Sequence, residues 1–155
     1  MPTKAEKETM NLHDYFDYKD GKIYRKNGNL AGSILKNGYG LVSVKGKRIG
    51  IHRVIYAMHH GYMPEIIDHI DGNPRNNNIQ NLRPATKSQN SMNQKLSVKN
   101  TSGYKGVSWN GHSWRVCVYK SGKRITVGTY KDKEVANVIA MLARTVHHND
   151  FARHV

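Results

Sequence analysis

A loop rich in glycine, proline and asparagine, at residues 72–78, constrains the fold of this 155-residue chain more than any other feature. Asparagine and glycine favour turn conformations and proline interrupts strand pairing, so these residues form an irregular connection. Two short strands are predicted, one from Ile66, Ile67 and Ile70 before the loop and a return strand from Ile79 and Leu82 after it, which Pro84 ends. The sequence therefore predicts a strand, a loop and a returning strand.

A capping-box pattern, Thr86-Lys87-Ser88-Gln89, follows the second predicted strand. In this pattern the first and fourth side chains satisfy free backbone N–H groups at the start of a helix, so a helix should begin here with Thr86 as its N-cap. The two strands, the loop and this helix make a ββα unit at about residues 63–93. The polar residues 94–102 that follow it are low in apolar content and are expected to be a linker.

The part of the chain before the ββα unit predicts two β-hairpins and a helix. Lys19-Asp20-Gly21 and Lys45-Gly46 are turn sequences that lie between short runs with strand character. The run HRVIYAMHHG, which begins at His52, has apolar residues near helical spacing, and Gly61 stands where a helix C-cap is expected.

The part of the chain after the linker predicts a sheet covered by a helix. Three strand-like runs, YKGVSW, SWRVCVY and KRITVGTY, are separated by turn residues and predict an antiparallel meander. Asp132 can cap a helix over roughly 133–147. Its apolar stripe should cover the sheet, and it consists of Val135, Ile139, Leu142 and Val146 with Ala136, Ala140 and Ala143 beside them. The expected fold class is α+β, with β-hairpins and a ββα unit at 13–93, a linker at 94–102 and a three-stranded antiparallel sheet with one packed helix at 103–155.

The charge balance favours a nucleic-acid partner and excludes several other classes of protein. Lys and Arg number 25 against 11 Asp and Glu, a net charge of +14, and such a protein gains affinity for phosphates by releasing counterions. One cysteine, Cys117, excludes an intramolecular disulfide and every Cys-rich zinc site. No apolar run approaches the roughly 20 residues of a membrane span, and residues 1–10 lack a signal-peptide core, so we expect a soluble intracellular protein.

Asp68 and His69 stand together at the end of the first predicted strand, and Asn90 lies in the first turn of the predicted helix. A strand end and a helix start can face each other in a ββα hairpin, so the Asp68 carboxylate and the Asn90 amide oxygen could share a cation. Two oxygen ligands suit a hard ion such as Mg²⁺ or Mn²⁺. His69 would then be the general base toward water, and Asn81 would bond the loop backbone so that His69 stays aimed.

The pattern HRVIYAMHHG…DHIDGNPRNNNIQNLR…N resembles the phage and intron-type HNH endonucleases, with His69, Asn81 and Asn90 at the three signature positions. The resemblance covers about residues 13–93. It implies that Asp68 and Asn90 bind the divalent metal, that His69 activates water, and that phosphodiester bonds of double-stranded DNA are cut to 5′-phosphate and 3′-hydroxyl ends. It also implies a phage or mobile-element origin and activity in the cytoplasm of a bacterial or phage-infected cell.

The pair His52-Arg53 precedes the signature in the same family. These two residues are expected to lie beside the catalytic residues and to hold them in position. For His52 a plain packing role is an equally open interpretation.

Three short motifs in residues 103–155 carry a second resemblance. Gly103-Tyr104-Lys105-Gly106-Val107, Trp114-Arg115 and Lys123-Arg124 with the later Val127-Gly128-Thr129-Tyr130 are similar to the AP2 (ERF) DNA-binding domain. The resemblance implies that the sheet lies in the major groove, where its polar face reaches base edges. The candidate base-contacting residues are Lys105, Ser108, Asn110, Arg115, Tyr119, Arg124 and Thr126.

Two other functions fit parts of the sequence. The chain could be a DNA-binding regulator whose HNH part no longer cuts, although such a copy would be expected to have lost Asp68, His69 or Asn90. It could also bind RNA, which the charge alone favours and the absence of the usual RNA-binding motifs opposes. The sequence has no heptad pattern of the kind that would predict a strong dimer. A monomer or a weak dimer is therefore expected.

Overall fold

A computed structural model of the chain describes residues 11–154. The chain forms two compact units, the first ending at Ala85 and the second beginning at Thr86. Both units combine small antiparallel sheets with helices, which confirms the α+β prediction. Residues 1–10, on which the signal-peptide expectation rests, lie outside the described residues. Within the described residues, no helix has both the length and the apolar character needed to span a bilayer.

From residue 11 onward, the first unit contains three small sheets and one α-helix. Its elements are β1 (Phe16–Lys19), β2 (Lys22–Arg25), β3 (Ser33–Ile34), β4 (Gly40–Val44), β5 (Lys47–Gly50), α1 (Ile51–His60), β6 (Ile67–His69) and β7 (Leu82–Pro84). β1 pairs with β2, β3, β4 and β5 form one sheet, and β6 pairs with β7, all antiparallel. Both predicted hairpins and the predicted helix are confirmed, and Gly61 is its C-cap with a φ of 74°.

The return strand starts later than the prediction from Ile79. Ile79–Asn81 form one turn of 3-10 helix, in which the Asn78 side chain accepts a hydrogen bond from the backbone N–H of Gln80. Asparagine caps such turns readily because its short side chain reaches the backbone two residues on. β7 therefore begins only at Leu82.

One apolar core holds the first unit together. Phe16 and Ile23 from the first hairpin and Val54 and Ile55 from α1 are each at most 1% exposed. Ile67 on β6 and Leu82 on β7 belong to the same buried cluster. The two strands that carry the candidate site are thus anchored to the core of the unit.

The second unit begins with a short helix and continues with a sheet and a long helix. Its elements are α2 (Lys87–Met92), β8 (Val107–Trp109), β9 (Trp114–Lys120), β10 (Lys123–Tyr130) and α3 (Lys133–His148). The sheet is antiparallel in the order β10-β9-β8, with a bulge between Thr126 and Gly128. The predicted meander and its helix are confirmed, and Asp132 caps α3 by accepting a hydrogen bond from the backbone N–H of Val135.

The buried face of α3 agrees with the predicted stripe only in part. Ala136, Ala140, Arg144 and His148 are buried, whereas Val146 on the predicted stripe is 72% exposed. Alanines let a helix approach a sheet closely, and Ala136 and Ala140 pack against the valines of β8 and β9. Larger side chains at those positions would hold the helix away from the sheet. The predicted stripe is confirmed for Ala136, Ala140 and Ile139, which pack in the core of the unit, and it was wrong for Val135, Leu142 and Val146, which are exposed.

The predicted linker at 94–102 contains no helix or strand, but its polar groups are bonded to the second unit. The Asn100 side-chain amide donates to the backbone carbonyl of Tyr104, and the Ser102 hydroxyl donates to the same carbonyl. Ser102 is 2% exposed. The end of the segment therefore packs as part of the second unit, while domain boundaries at 93 and 103 stay predictions.

Gly106 and Gly122 form a matched pair for testing the packing against β9. Their φ angles are 78° and 77°, but a Cβ on Gly106 would lie 2.6 Å from the carbonyl oxygen of Cys117, and a Cβ on Gly122 would meet nothing within 4 Å. We expect Gly122→Ala to lower the free energy of unfolding by about 1 kcal/mol. Gly106→Ala should cost roughly 1–3 kcal/mol more because the chain must shift. Urea unfolding measures both variants, and equal losses would contradict the close approach.

Candidate active site

Asp68 is held by an arginine on the neighbouring strand. The register of β6 and β7 sets Asp68 opposite Arg83, so their side chains lie on the same face of the pair. Arg83 Nε and Nη2 each lie 2.9 Å from Asp68 Oδ2. The Asp68 residue is only 4% exposed, and the guanidinium compensates its buried charge. The sequence analysis missed Arg83, because the strand register depends on the conformation of the loop.

His69 is oriented by a buried asparagine of the loop. Its Nε2 lies 2.9 Å from Asn77 Oδ1, and both residues are at most 5% exposed. The amide oxygen can only accept, so Nε2 carries the hydrogen and Nδ1 is the basic nitrogen of the neutral ring. The sequence analysis missed Asn77, whose only signal was its place in an asparagine-rich loop.

Asp71 and Asn81 organise the loop that follows His69. The Asp71 carboxylate accepts hydrogen bonds from the backbone N–H of Asn73 and from the side-chain amides of Asn76 and Asn81. Burial alone raises the pKa of Asp71, but these three hydrogen bonds and the nearby His69 outweigh it, so the pKa is lowered. Asn81 also donates to the Asn76 carbonyl and accepts from the Asp71 backbone N–H. These bonds tie β7 to the loop; a role of Asn81 in catalysis stays a prediction.

His52 and Tyr39 form an aromatic wall beside His69. The ring centroids of His52 and Tyr39 lie 5.2 Å and 5.9 Å from that of His69. Burial lowers the pKa of His52 to about 4, and the charges of His69 and Arg53 act in the same direction. His52 is therefore neutral near pH 7 and adds no charge beside His69. Arg53 instead donates to the Glu65 carbonyl, at 2.8 Å, before β6. Tyr39 gave no signal in the sequence.

Asn90 lies on α2, which belongs to the second unit, and the predicted capping box at Thr86 and Gln89 is present. The joint binding of a metal by Asp68 and Asn90 stays a prediction. Their carboxylate and amide oxygens have the donor chemistry that a hard divalent ion prefers. Among residues 11–154 there is no cluster of three or more His, Cys, Asp or Glu side chains that could hold a metal. A two-oxygen site of this kind would leave most ligand positions to water and phosphate.

The predicted base-contacting residues on the strands share one face of the second sheet. Strand pairing sets Ser108 opposite Arg115 and Arg124 opposite Tyr119. Side chains alternate along β9, so this face is the reverse of the one where Val116 packs against α3. Thr126 belongs to the same face. It pairs with Cys117, which lies between Arg115 and Tyr119 on this face of β9, and the Cys117 Sγ is 3.7 Å from the Thr126 Oγ1.

Lys105 and Asn110 differ from the other predicted base-contacting residues. The Lys105 ammonium donates to the carbonyl oxygens of Met92 and Gln94, at 2.8 Å and 2.5 Å. The Asn110 side-chain oxygen accepts from the backbone N–H of Ser113, at 2.9 Å, within the turn that joins β8 and β9. Both side chains are thus engaged with the backbone of their own unit.

The HNH endonuclease family model matches residues 50–92, which include both strands of the candidate site. Two relatives described as uncharacterized HNH endonucleases, L245 and L560 of Acanthamoeba polyphaga mimivirus, are each 39% identical, over 52% and 56% of this chain. The chain spans only 27% and 46% of their lengths. The solved structure of the HNH homing endonuclease I-HmuI aligns over 96% of this chain and 97% of its own, with 22% identity and a TM-score of 0.46.

A phage protein gives the more complete match. Protein 3.8 of Escherichia phage T7 is 38% identical over 108 residues, which are 66% of this chain and 87% of the relative. The resemblance to HNH endonucleases is thus confirmed, while the AP2-like character of residues 103–155 stays a prediction. The chain belongs to the family of phage T7 Protein 3.8, and its residues 50–92 are an HNH endonuclease domain.

Proposed function

We propose that the chain is a metal-dependent endonuclease that hydrolyses phosphodiester bonds in double-stranded DNA. The observation that carries the proposal is the pair of oriented side chains on β6, inside the matched HNH segment. Asp68 is held by Arg83 on the adjacent strand, and His69 is held by Asn77 in the loop. The strand pairing positions both residues, and each side chain has its own hydrogen-bond partner. Such preorganisation is what a catalytic pair requires.

His69 is the general base in this proposal. Because Nε2 donates its hydrogen bond to the Asn77 amide oxygen, Nδ1 is the nitrogen that can accept a proton from a water molecule near the scissile phosphate. The rings of Tyr39 and His52 pack beside the imidazole and limit its rotation. The neutral state of His52 near pH 7 leaves His69 without a charged histidine neighbour that would discourage proton uptake.

Asp68 and Asn90 would hold the divalent ion, Mg²⁺ or Mn²⁺, which when bound stabilises the negative charge that develops on the phosphate. Arg83 fixes the direction of the Asp68 carboxylate through Oδ2. Asn81 keeps the loop closed against β7 through its bonds to Asp71 and Asn76. These contacts hold the residues that flank the base in one geometry.

We further propose that the second sheet binds DNA in the AP2 manner. The net charge of +14 supports binding to a polyanion. Arg115, Tyr119 and Arg124 lie on the polar face of the sheet, and Tyr119 is 56% exposed. Lys105 and Asn110 are left out of this proposal because their polar groups are bonded to the backbone.

We expect His69→Ala, Asp68→Asn and Asn90→Ala each to slow cleavage of plasmid DNA by roughly 100-fold or more, because each removes a group that acts only in the reaction. DNA affinity should change little, since it comes from many phosphate contacts. The matched control is His112→Ala, which changes an exposed histidine of the second unit and should cut at the rate of the unchanged protein. Full cutting by His69→Ala between pH 6 and 8 would exclude it as the base. Binding with no cutting by the unchanged protein would favour the regulator instead.

Cleavage should also require an added divalent ion. An oxygen-donor pair holds hard ions weakly, so exhaustive treatment with EDTA should stop the cutting, and Mg²⁺ or Mn²⁺ should restore it. The measurement is the conversion of supercoiled plasmid to relaxed and linear forms. A monomer with one site should give the relaxed form first. Persistent cutting after chelation would show that the metal assignment is wrong.

Substitutions on the polar face of the second sheet should change sequence preference. We expect Arg115→Ala and Arg124→Ala to cost about 1–3 kcal/mol on a preferred site and less on random duplexes, because base-edge contacts are lost. Lys95→Ala and Lys99→Ala in the segment at 94–102 are controls for loss of charge, and they should weaken all duplexes alike. Binding of preferred and random duplexes across a salt series separates the two behaviours. Uniform weakening by all four variants would contradict base contacts by this face.

A further inference from the structure

A cavity of about 810 Å³ lies within the second unit, apart from the candidate active site. Its walls come from α2, from β8 and the residues that lead into it, from β9, from the start of β10 and from the C-terminal half of α3. Ser108, Tyr119 and Arg124 of the proposed DNA-binding face are part of this lining. Apolar side chains and cationic ones both line it, and those on which the inference depends are Met92, Lys105, Val107, Val118, Arg144 and His148. Protein cavities that bind small molecules have this size, with mostly apolar walls and a few polar groups.

Arg144 is a buried cation with no carboxylate partner among residues 11–154. It is 2% exposed, and one terminal nitrogen donates to the Lys105 carbonyl while the other lies 3.5 Å from His154 Nδ1. Its Nε is buried and has no hydrogen-bond partner among residues 11–154. Burying an arginine costs several kcal/mol unless an anion or sufficient acceptors compensate the charge. The contacts of Arg144 therefore leave both a donor and a positive charge unsatisfied.

Lys105 and His148 lie in the cavity wall beside Arg144. The hydrogen bonds of the Lys105 ammonium go to backbone carbonyls, and burial together with the charges of Arg144 and Arg153 lowers the pKa of Lys105 to about 8. His148 Nε2 donates to the Tyr119 carbonyl, and its Nδ1 is buried and has no hydrogen-bond partner among residues 11–154. Residues 11–154 supply no carboxylate to Lys105 or Arg144 within ion-pair distance.

We propose that this cavity binds a nucleotide, with the phosphate held by Arg144 and by the third N–H of the Lys105 ammonium, whose other two hydrogens go to the carbonyls of Met92 and Gln94. A guanidinium with a free N–H and a neighbouring ammonium match the charge and acceptor oxygens of a phosphate group. A phosphate alone would fill only a small part of the cavity, and the apolar side chains of Met92, Val107 and Val118 suit a base and sugar. The ligand is either a free nucleotide or a nucleotide within a DNA strand. This inference does not depend on cutting by the N-terminal unit.

The test is isothermal titration of the full chain with deoxyadenosine monophosphate, with the other three deoxynucleoside monophosphates and with inorganic phosphate. We expect saturable binding of nucleotides at one site, and weaker binding of inorganic phosphate because it lacks the apolar part. Arg144→Met should weaken nucleotide binding by roughly tenfold or more, since hydrogen bonds to a charged group are lost. Lys131→Met removes an exposed cation outside the cavity and is the matched control.

A second variant tests the same cavity without changing Arg144, in case Arg144→Met fails to fold. Ser91→Phe places a large side chain into the cavity from exposed Ser91 on α2 and leaves Arg144 unchanged, so it should also abolish binding. A short DNA duplex that displaces the nucleotide would identify the DNA strand as the source, and a lack of competition would identify a free nucleotide. Absence of saturable binding, binding unaffected by both cavity variants, or inorganic phosphate binding as tightly as nucleotide would overturn the proposal.

Discussion

The ion pair between Asp68 and Arg83 is the interaction on which the candidate active site depends. A carboxylate that is 4% exposed is tolerated only when its charge is compensated, and breaking such a pair costs about 3–5 kcal/mol. The antiparallel register supplies the compensation by setting Arg83 directly opposite Asp68. The same register sets His69 opposite Leu82, which is buried in the core of the first unit. One pairing between two three-residue strands thus fixes the acidic residue and the base together.

Local signals predicted the parts of the site that lie close together in the sequence. The capping box at Thr86, the turns at Gly21 and Gly46 and the adjacency of Asp68 and His69 are all readable from a few residues. The partners of the two site residues were not readable in this way. Arg83 depends on strand register, and the contact of Asn77 with His69 depends on how a whole loop folds back. Both are set by non-local geometry that composition does not encode.

Helix α3 shows how a predicted apolar stripe can be centred to one side of the face that is buried. The helix was predicted correctly, but hydrophobicity centred the stripe on Val135, Leu142 and Val146, with Ala136 and Ala140 at its edge. The distance between the helix and the sheet decided the outcome, because Ala136 and Ala140 allow a closer approach than valine would. The helix then extends its buried face to Arg144, a residue type that hydrophobicity scales always place outside. Close packing took precedence over the burial of the larger apolar side chains.

The two units satisfy their buried polar groups in different ways. In the first unit the carboxylate of Asp68 has a guanidinium partner and the imidazole of His69 has an amide partner, so both side chains are fixed by the protein itself. In the second unit Arg144 Nε and His148 Nδ1 lie beside a cavity and are buried without hydrogen-bond partners among the described residues. An unsatisfied buried polar group lowers the stability of a fold, and a molecule that satisfies it recovers that free energy as binding. The first arrangement suits the proposed catalysis, which needs fixed side chains, and the free N–H of Arg144 in the second suits the proposed binding of a phosphate.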